Sequence, residues 1–264
     1  MSIKNLNIFY KTLIEISENN YQLLFQKKKA LFLETFPKYS SIKYFQSPHC
    51  NFRFRTEFSL IREKGKIFFA MTNNGKKEKI ETFPIVSQKI QDLMAPLLDK
   101  INGNLPISDK LFQVEFQCSR SNEVVVTLIY HRKIDKDWER VALEISKELC
   151  ISIVGRSKNQ KVKLGKEFVT ETYSFSDKKF KLRLYEQCFS QTNPYICDHM
   201  LNWVYERSSA EADVMELHCG QGTFSILLSE LHHKVLATEN SRPSVSALKE
   251  NIKLNEKSNI HIGR

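Results

Sequence analysis

Apolar and polar positions alternate with two different periods along this chain, and the changes of period mark its elements. Over residues 52–60, Phe-Arg-Phe-Arg-Thr-Glu-Phe-Ser-Leu, the phenylalanines and leucine take every second position. That pattern predicts a half-buried strand with Arg53 and Arg55 side by side on its outer face. Residues 66–71 and 79–83 read as strands joined at Asn73-Asn74-Gly75, a strong hairpin signal. A second hairpin is expected over 111–118 and 123–131, turning at Arg120-Ser121-Asn122. A helical period takes over at 87–101, where Ile90, Leu93, Met94, Leu97, Leu98 and Ile101 form one stripe and Pro96 predicts a kink. It returns at 135–149, with Trp138, Val141, Ala142, Ile145 and Leu149 inward. A helical lead-in over 7–34 and strands at 151–154 and 180–185 complete this part, and a helix opened by Pro194, expected to bury Ile196, Met200, Trp203 and Val204, leads into the next. The order predicts an α+β domain over residues 1–185, its antiparallel sheet covered by helices on one face and free on the other.

From residue 186 the pattern changes to strand, glycine turn, helix and strand. Met215 to His218 is an apolar strand end, Gly220 and Gly222 form a turn, and a helix starts near Thr223. Glycine permits the positive φ and the close backbone approach that such a reversal needs. Val235 to Thr238 is the next strand, and Glu239 ends it, nineteen residues after Gly220. A carboxylate at that offset suits the two hydroxyls of an adenosine ribose. These features predict an α/β Rossmann-like domain over 186–264, with a third strand at 259–262. A dinucleotide site would want a third glycine where Ser225 stands, together with a helix start facing a pyrophosphate. S-adenosylmethionine carries no phosphate and needs polar side chains beside the first strand. Glu216, His218 and Thr223 offer them, which favours the methyl donor over NAD.

Composition narrows the partners. A net charge of +10 on 264 residues points to an anionic macromolecule, since clustered lysine and arginine gain affinity by displacing phosphate counterions. Arg53 and Arg55 are candidate phosphate contacts, with pairing to Glu57 the alternative. The run Lys27-Lys28-Lys29 is expected on a solvated helix face, and 156–166, carrying Lys158, Lys161 and Lys163, reads as a basic loop. Cys50, Cys118, Cys150, Cys188, Cys197 and Cys219 form no Cys-x-x-Cys pair, so reduced thiols and no metal site are expected. No apolar run has transmembrane length, and charged residues interrupt 1–20, so neither a membrane span nor a leader peptide is expected and a cytoplasmic monomer is the default.

The chain resembles the bacterial tRNA uracil-5-methyltransferase family. The likeness rests on Phe52 to Phe58 with its paired arginines, Leu128-Ile129-Tyr130-His131, Cys188-Phe189-Ser190-Gln191-Thr192-Asn193, Glu216 to Ser225, and Leu236-Ala237-Thr238-Glu239. It implies an N-terminal RNA-recognition domain, a methyltransferase domain, S-adenosylmethionine as cofactor and the T-arm of tRNA as partner. Gln191, His218, Thr223 and Glu239 match the family's cofactor contacts, with His218 where tyrosine is common and Thr223 where asparagine is common. The family's chemistry uses a cysteine thiolate that adds to C6 of uracil and a glutamate that removes the C5 proton. Its Asp-Pro-Pro-Arg and Ser-Cys-Asn-Pro motifs do not occur among these 264 residues. No catalytic residue is therefore assigned: nucleophile and base are expected beyond Arg264. The methyltransferase domain is expected to be incomplete and the chain alone inactive. A non-catalytic RNA-binding protein is the alternative, and an NAD-dependent enzyme a more distant one.

Overall fold

The computed structural model describes residues 16–39, 41–73, 75–209 and 212–263. Most of the lead-in helix's first half and Asn74 of the predicted hairpin turn lie outside them. So does Arg264, the residue beyond which the sequence reading sets the nucleophile and base, and the structure leaves that expectation untouched. The first helix, α1 (Glu18–Thr35), starts where the Ser17 side chain accepts a hydrogen bond from the Asn20 amide. Strands β1 (Arg55–Glu63), β2 (Lys66–Asn73) and β3 (Lys76–Lys79) are followed by helices α2 (Gln88–Gly103) and α3 (Leu105–Ser108). Then come β4 (Leu111–Cys118), β5 (Val124–Tyr130), α4 (Lys136–Glu148), β6 (Ser152–Ser157) and β7 (Gln160–Leu164). The seven strands form one sheet in the order β3-β2-β1-β4-β5-β6-β7.

Helices α2 and α4 cover one face of this sheet. Ser87 and Asp135 cap them, and Ile90, Leu93, Leu97, Trp138, Val141 and Ile145 enter one core with Phe58, Phe69, Val114, Phe116, Val126 and Leu128. Gly155 of β6 lies directly under Trp138, where any Cβ would collide with the indole. The helix runs on through Pro96.

Several expectations are corrected here. The sheet is mixed, because β5 and β6 pair in parallel: α4 carries the chain back across the sheet between them. The basic loop is a hairpin: β6 continues to Ser157, Asn159 turns with φ 58°, and Val162 and Leu164 alternate with Lys161 and Lys163 in β7. The return strand expected at 79–83 is β3, three residues earlier, because Asn73 pairs with Lys76 across the turn.

The second part begins with a hairpin, β8 (Phe168–Phe175) and β9 (Lys178–Tyr185), followed by α5 (Pro194–Arg207). Strands β10 (Val214–Leu217), β11 (Val235–Thr238) and β12 (Ile260–Gly263) form a parallel sheet in that order, with α6 (Thr223–Leu228) and α7 (Arg242–Leu254) between them. The hairpin packs with α5 on β8 and α7 on β9, and its Val169, Tyr173, Leu182 and Leu184 share a second core with Cys197, Leu201, Ile226, Val235, Ala237 and Leu248. Val125 and Val154, on the far face of the large sheet, belong to this second core as well. The sheet face expected to be free is thus covered at β4 to β6. Helix α5 turns differently from expectation: Pro194, Cys197 and Leu201 are its buried residues, while Met200 and Trp203 are 37% and 46% exposed and Arg207 stacks over the indole.

Candidate functional site

The turn after β10 is built from three left-handed residues in five, His218 (φ 56°), Gly220 (φ 58°) and Gly222 (φ 91°). The two glycines serve different needs. A Cβ on Gly220 would meet nothing within 4 Å, so open space lies in front of its backbone. A Cβ on Gly222 would collide with the Leu248 side chain, so this glycine lets α7 pack against the start of α6. A close approach to the backbone is thus open at Gly220, while at Gly222 that space is filled by Leu248.

Glu239 fixes the turn from the next strand. Its Oε2 accepts from the Gly220 amide at 3.1 Å, and its Oε1 accepts from the amides of Asn240 and Ser241, both at 2.8 Å. A carboxylate has roughly four lone-pair positions. Three are taken by backbone, which immobilises the group and leaves one direction open beside Gly220. His218 is exposed at the end of β10, and Thr223, half-buried, is the first residue of α6.

Below the turn, Ser225 donates its hydroxyl to the carboxylate of Glu216. Burial pushes Glu216 up to about 7, against the opposing effect of that hydrogen bond. Cys219 is 6% exposed, and burial together with the charges of Glu216 and Glu239 pushes its thiol up to about 12. Burial likewise raises Cys118 to about 11 and Cys197 to about 12, and raises Cys188. A thiolate nucleophile needs the opposite environment.

Gln191 joins the turn indirectly, through a residue that no motif singled out. Gln221, between the glycines and 2% exposed, donates to the carbonyl of Phe189 and accepts from the amide of Tyr185, each at 2.7 Å. Both ends of its amide therefore clamp the segment leading to Gln191. Asn251 of α7, fully buried, donates to the Gln221 carbonyl and to the carbonyl of Arg183, and accepts from the Arg183 amide. Asn255, one turn later, repeats the exchange with Lys181. The i, i+4 spacing of these two asparagines was the available signal. Gln191 itself is not the cap of α5: Asn193 is, accepting from the Ile196 amide. Gln191 lines a narrow cleft with Phe54, Gln117 and Tyr173.

The two arginines part company. Arg53 precedes β1 and is tied by its backbone to Ile85 and Ser87. Its side chain lines an open cavity of about 400 Å³ with Glu57, Thr72 and Gln113, and burial lowers its pKa. Arg55 is not on a solvent face: its guanidinium donates to the carbonyls of Cys188 and Glu186 and lies 4.0 Å from Glu115. The segment 186–190 covers it because Glu186, 2% exposed, is drawn in by Lys161 at 2.7 Å and Arg156 at 3.1 Å. Among the described residues no group of three or more His, Cys, Asp or Glu could hold a metal, and no helix is long and apolar enough to cross a membrane.

Comparison with known proteins places this geometry. The tRNA (Uracil-5-)-methyltransferase family model matches residues 20–264. A tRNA/tmRNA (uracil-C(5))-methyltransferase of Acinetobacter baumannii is 37% identical over 231 residues, covering 85% of this chain and 64% of the relative. One of the same description from Pseudomonas fluorescens is 39% identical over 224 residues, covering 83% and 62%. The chain thus spans less than two thirds of the length of these relatives. The crystal structure of Pyrococcus abyssi tRNA (uracil-54, C5)-methyltransferase in complex with S-adenosyl-L-homocysteine superimposes with a TM-score of 0.69 at 18% identity, covering 95% of this chain and 64% of that one. That likeness is one of fold. Through the match of its residues 20–264, the chain belongs to the tRNA (uracil-5-)-methyltransferase family.

Proposed function

We propose that this chain holds S-adenosylmethionine at the glycine turn and the T-arm of tRNA against its basic surface, in the service of methyl transfer to C5 of a uridine. The observation that carries the reading is Glu239, whose carboxylate is fixed by three backbone amides with one acceptor direction open beside Gly220. A ribose hydroxyl would find a pre-set acceptor there. His218 is exposed to stack or hydrogen-bond at the same strand end, Thr223 follows the turn, and Gln191 is held near by the Gln221 clamp. The cofactor supplies an electrophilic methyl group, and the fixed backbone and Glu239 orient it.

On the RNA side, Arg53 is the contact we retain, because its side chain faces an open cavity. Arg55 positions the segment ahead of Gln191 instead. The nucleophile is a separate matter. Cys118, Cys188, Cys197 and Cys219 are enclosed with raised pKa, while Cys50 is half-buried and Cys150 exposed. On this reading residues 1–264 bind both substrates, and none of the four enclosed cysteines supplies the attacking thiolate. Incubation of this chain with labelled S-adenosylmethionine and a T-arm RNA should give binding of both and no methylated RNA. Turnover abolished by Cys219→Ser would overturn the assignment of the thiols.

A further inference from the structure

Among the helices of the described residues, α1 stands apart in having no buried residue. Residues 16–47 carry seven aromatic rings, and five lysines against two glutamates. Phe32, Phe36, Tyr39 and Phe45 are 40% to 62% exposed. The extended residues 41–47 run beside α1, held by hydrogen bonds of Tyr21 with Ser47 and of Gln46 with Gln22. Between them opens a cavity of about 420 Å³, walled by Phe25, Phe32, Tyr44, Phe45, Phe52 and Lys29. Its volume falls in the range of small-ligand sites, roughly 300–1,000 Å³.

One cation stands on two rings of this groove. The Lys29 ammonium lies 4.9 Å from the centre of the Tyr44 ring and 5.8 Å from that of Phe25. The Tyr44 hydroxyl is enclosed without a hydrogen-bond partner among the described residues. The groove is continuous with the candidate site: Phe45 packs on His199 of α5 with ring centres 4.8 Å apart, and Asn193 and Ile196 form part of its wall, with Asn193 two residues beyond Gln191.

Exposed aromatic faces with ammonium groups at their rim suit stacked bases and the phosphates that link them. A net charge of +10 favours the same polyanion. We propose that this groove seats unpaired nucleobases of the RNA, other than the one to be methylated; the proposal rests on the RNA-binding reading above. Stacking makes it tolerant of sequence and selective for unpaired over paired strands.

The test is fluorescence anisotropy with the full chain, a labelled short unpaired RNA and a paired duplex of equal length. Phe32→Ala and Phe45→Ala should weaken the unpaired RNA by about 5- to 150-fold each, leaving the duplex affinity and the salt dependence unchanged. Phe45→Trp should restore binding. Lys29→Gln should lower the salt slope by about one. Both aromatic residues are substantially exposed, and circular dichroism with unchanged melting confirms that each variant folds. Wild-type affinity for unpaired RNA in both alanine variants would overturn the groove while leaving the RNA reading standing, as would an equal loss on the duplex. A shift from dimer to monomer at unchanged RNA affinity would assign the face to self-association and overturn it too. Failure of the unaltered protein to bind either RNA would instead bring down the RNA reading and the groove together.

Discussion

Gly220 and Gly222 stand in one turn under different constraints, and substitution should separate them. Alanine at Gly220 strains only the backbone, at about 1–2 kcal/mol, and intrudes on the open space beside Glu239. Alanine at Gly222 adds a collision with the buried Leu248 to a similar strain, so a total of about 2–5 kcal/mol is expected. Urea unfolding should therefore rank Gly222→Ala as the less stable, while Gly220→Ala should lose the more cofactor affinity. Glu216 gives the pH dependence. Its folded pKa of about 7 lies above the ordinary carboxylate value, so its favourable contribution is complete below about 4.5 and is lost as pH rises through about 7. The span corresponds to about 3 kcal/mol. Glu216→Gln should keep the Ser225 contact and flatten stability between about pH 5 and pH 8 in urea melts at those two values; an unchanged slope would show that Glu216 is not the group.

At the scale of elements, α7 works as a substitute strand for the open edge of β9. Asn251 and Asn255 exchange hydrogen bonds with Arg183 and Lys181 as a neighbouring strand would. Asn251→Ala would leave buried backbone groups of Arg183 and Gln221 unpaired, each at about 1–3 kcal/mol, and should lower the urea midpoint accordingly. Hydrogen exchange at Arg183 should accelerate in that variant; unaltered protection would contradict the clamp. Much of the element order was legible, because the periods of α2, α4, β4 and β5 are clean. Strand β8 was not, because Glu171 sits in its inward phase and breaks the apolar alternation. That carboxylate is 2% exposed and is met by the amide and Nε of Arg120 from the β4–β5 turn, a partner no local pattern reveals. The phase of α5 was misread for a similar reason: Cys197 and Leu201 face β8, whose existence the pattern hid. In the candidate site, the glycines and Glu239 were legible because their spacing is local. Gln221, Asn251 and the burial of Arg55 were not, since each depends on segments distant in sequence.

At the scale of the molecule, the β8–β9 hairpin joins two cores that the sequence reading divided at residue 185. Arg120 bonds to Glu171 and Asp198 on one side of it, and Glu186 holds Arg156 and Lys161 on the other. The glycine turn is tied to this junction by Gln221, so the turn and the large sheet share one framework. The fixed carboxylate of Glu239 is the point on which the functional reading turns. Isothermal titration of S-adenosylhomocysteine into residues 1–264 should show one saturable site. In Glu239→Gln, which keeps the side chain's size but sets an NH2 group against at least one of the three backbone N–H donors, affinity should fall at least about tenfold, the loss of one charge-assisted hydrogen bond, and the melting midpoint should fall modestly with it. Absence of binding by the unaltered chain, or equal binding by the variant, would contradict the cofactor site proposed here.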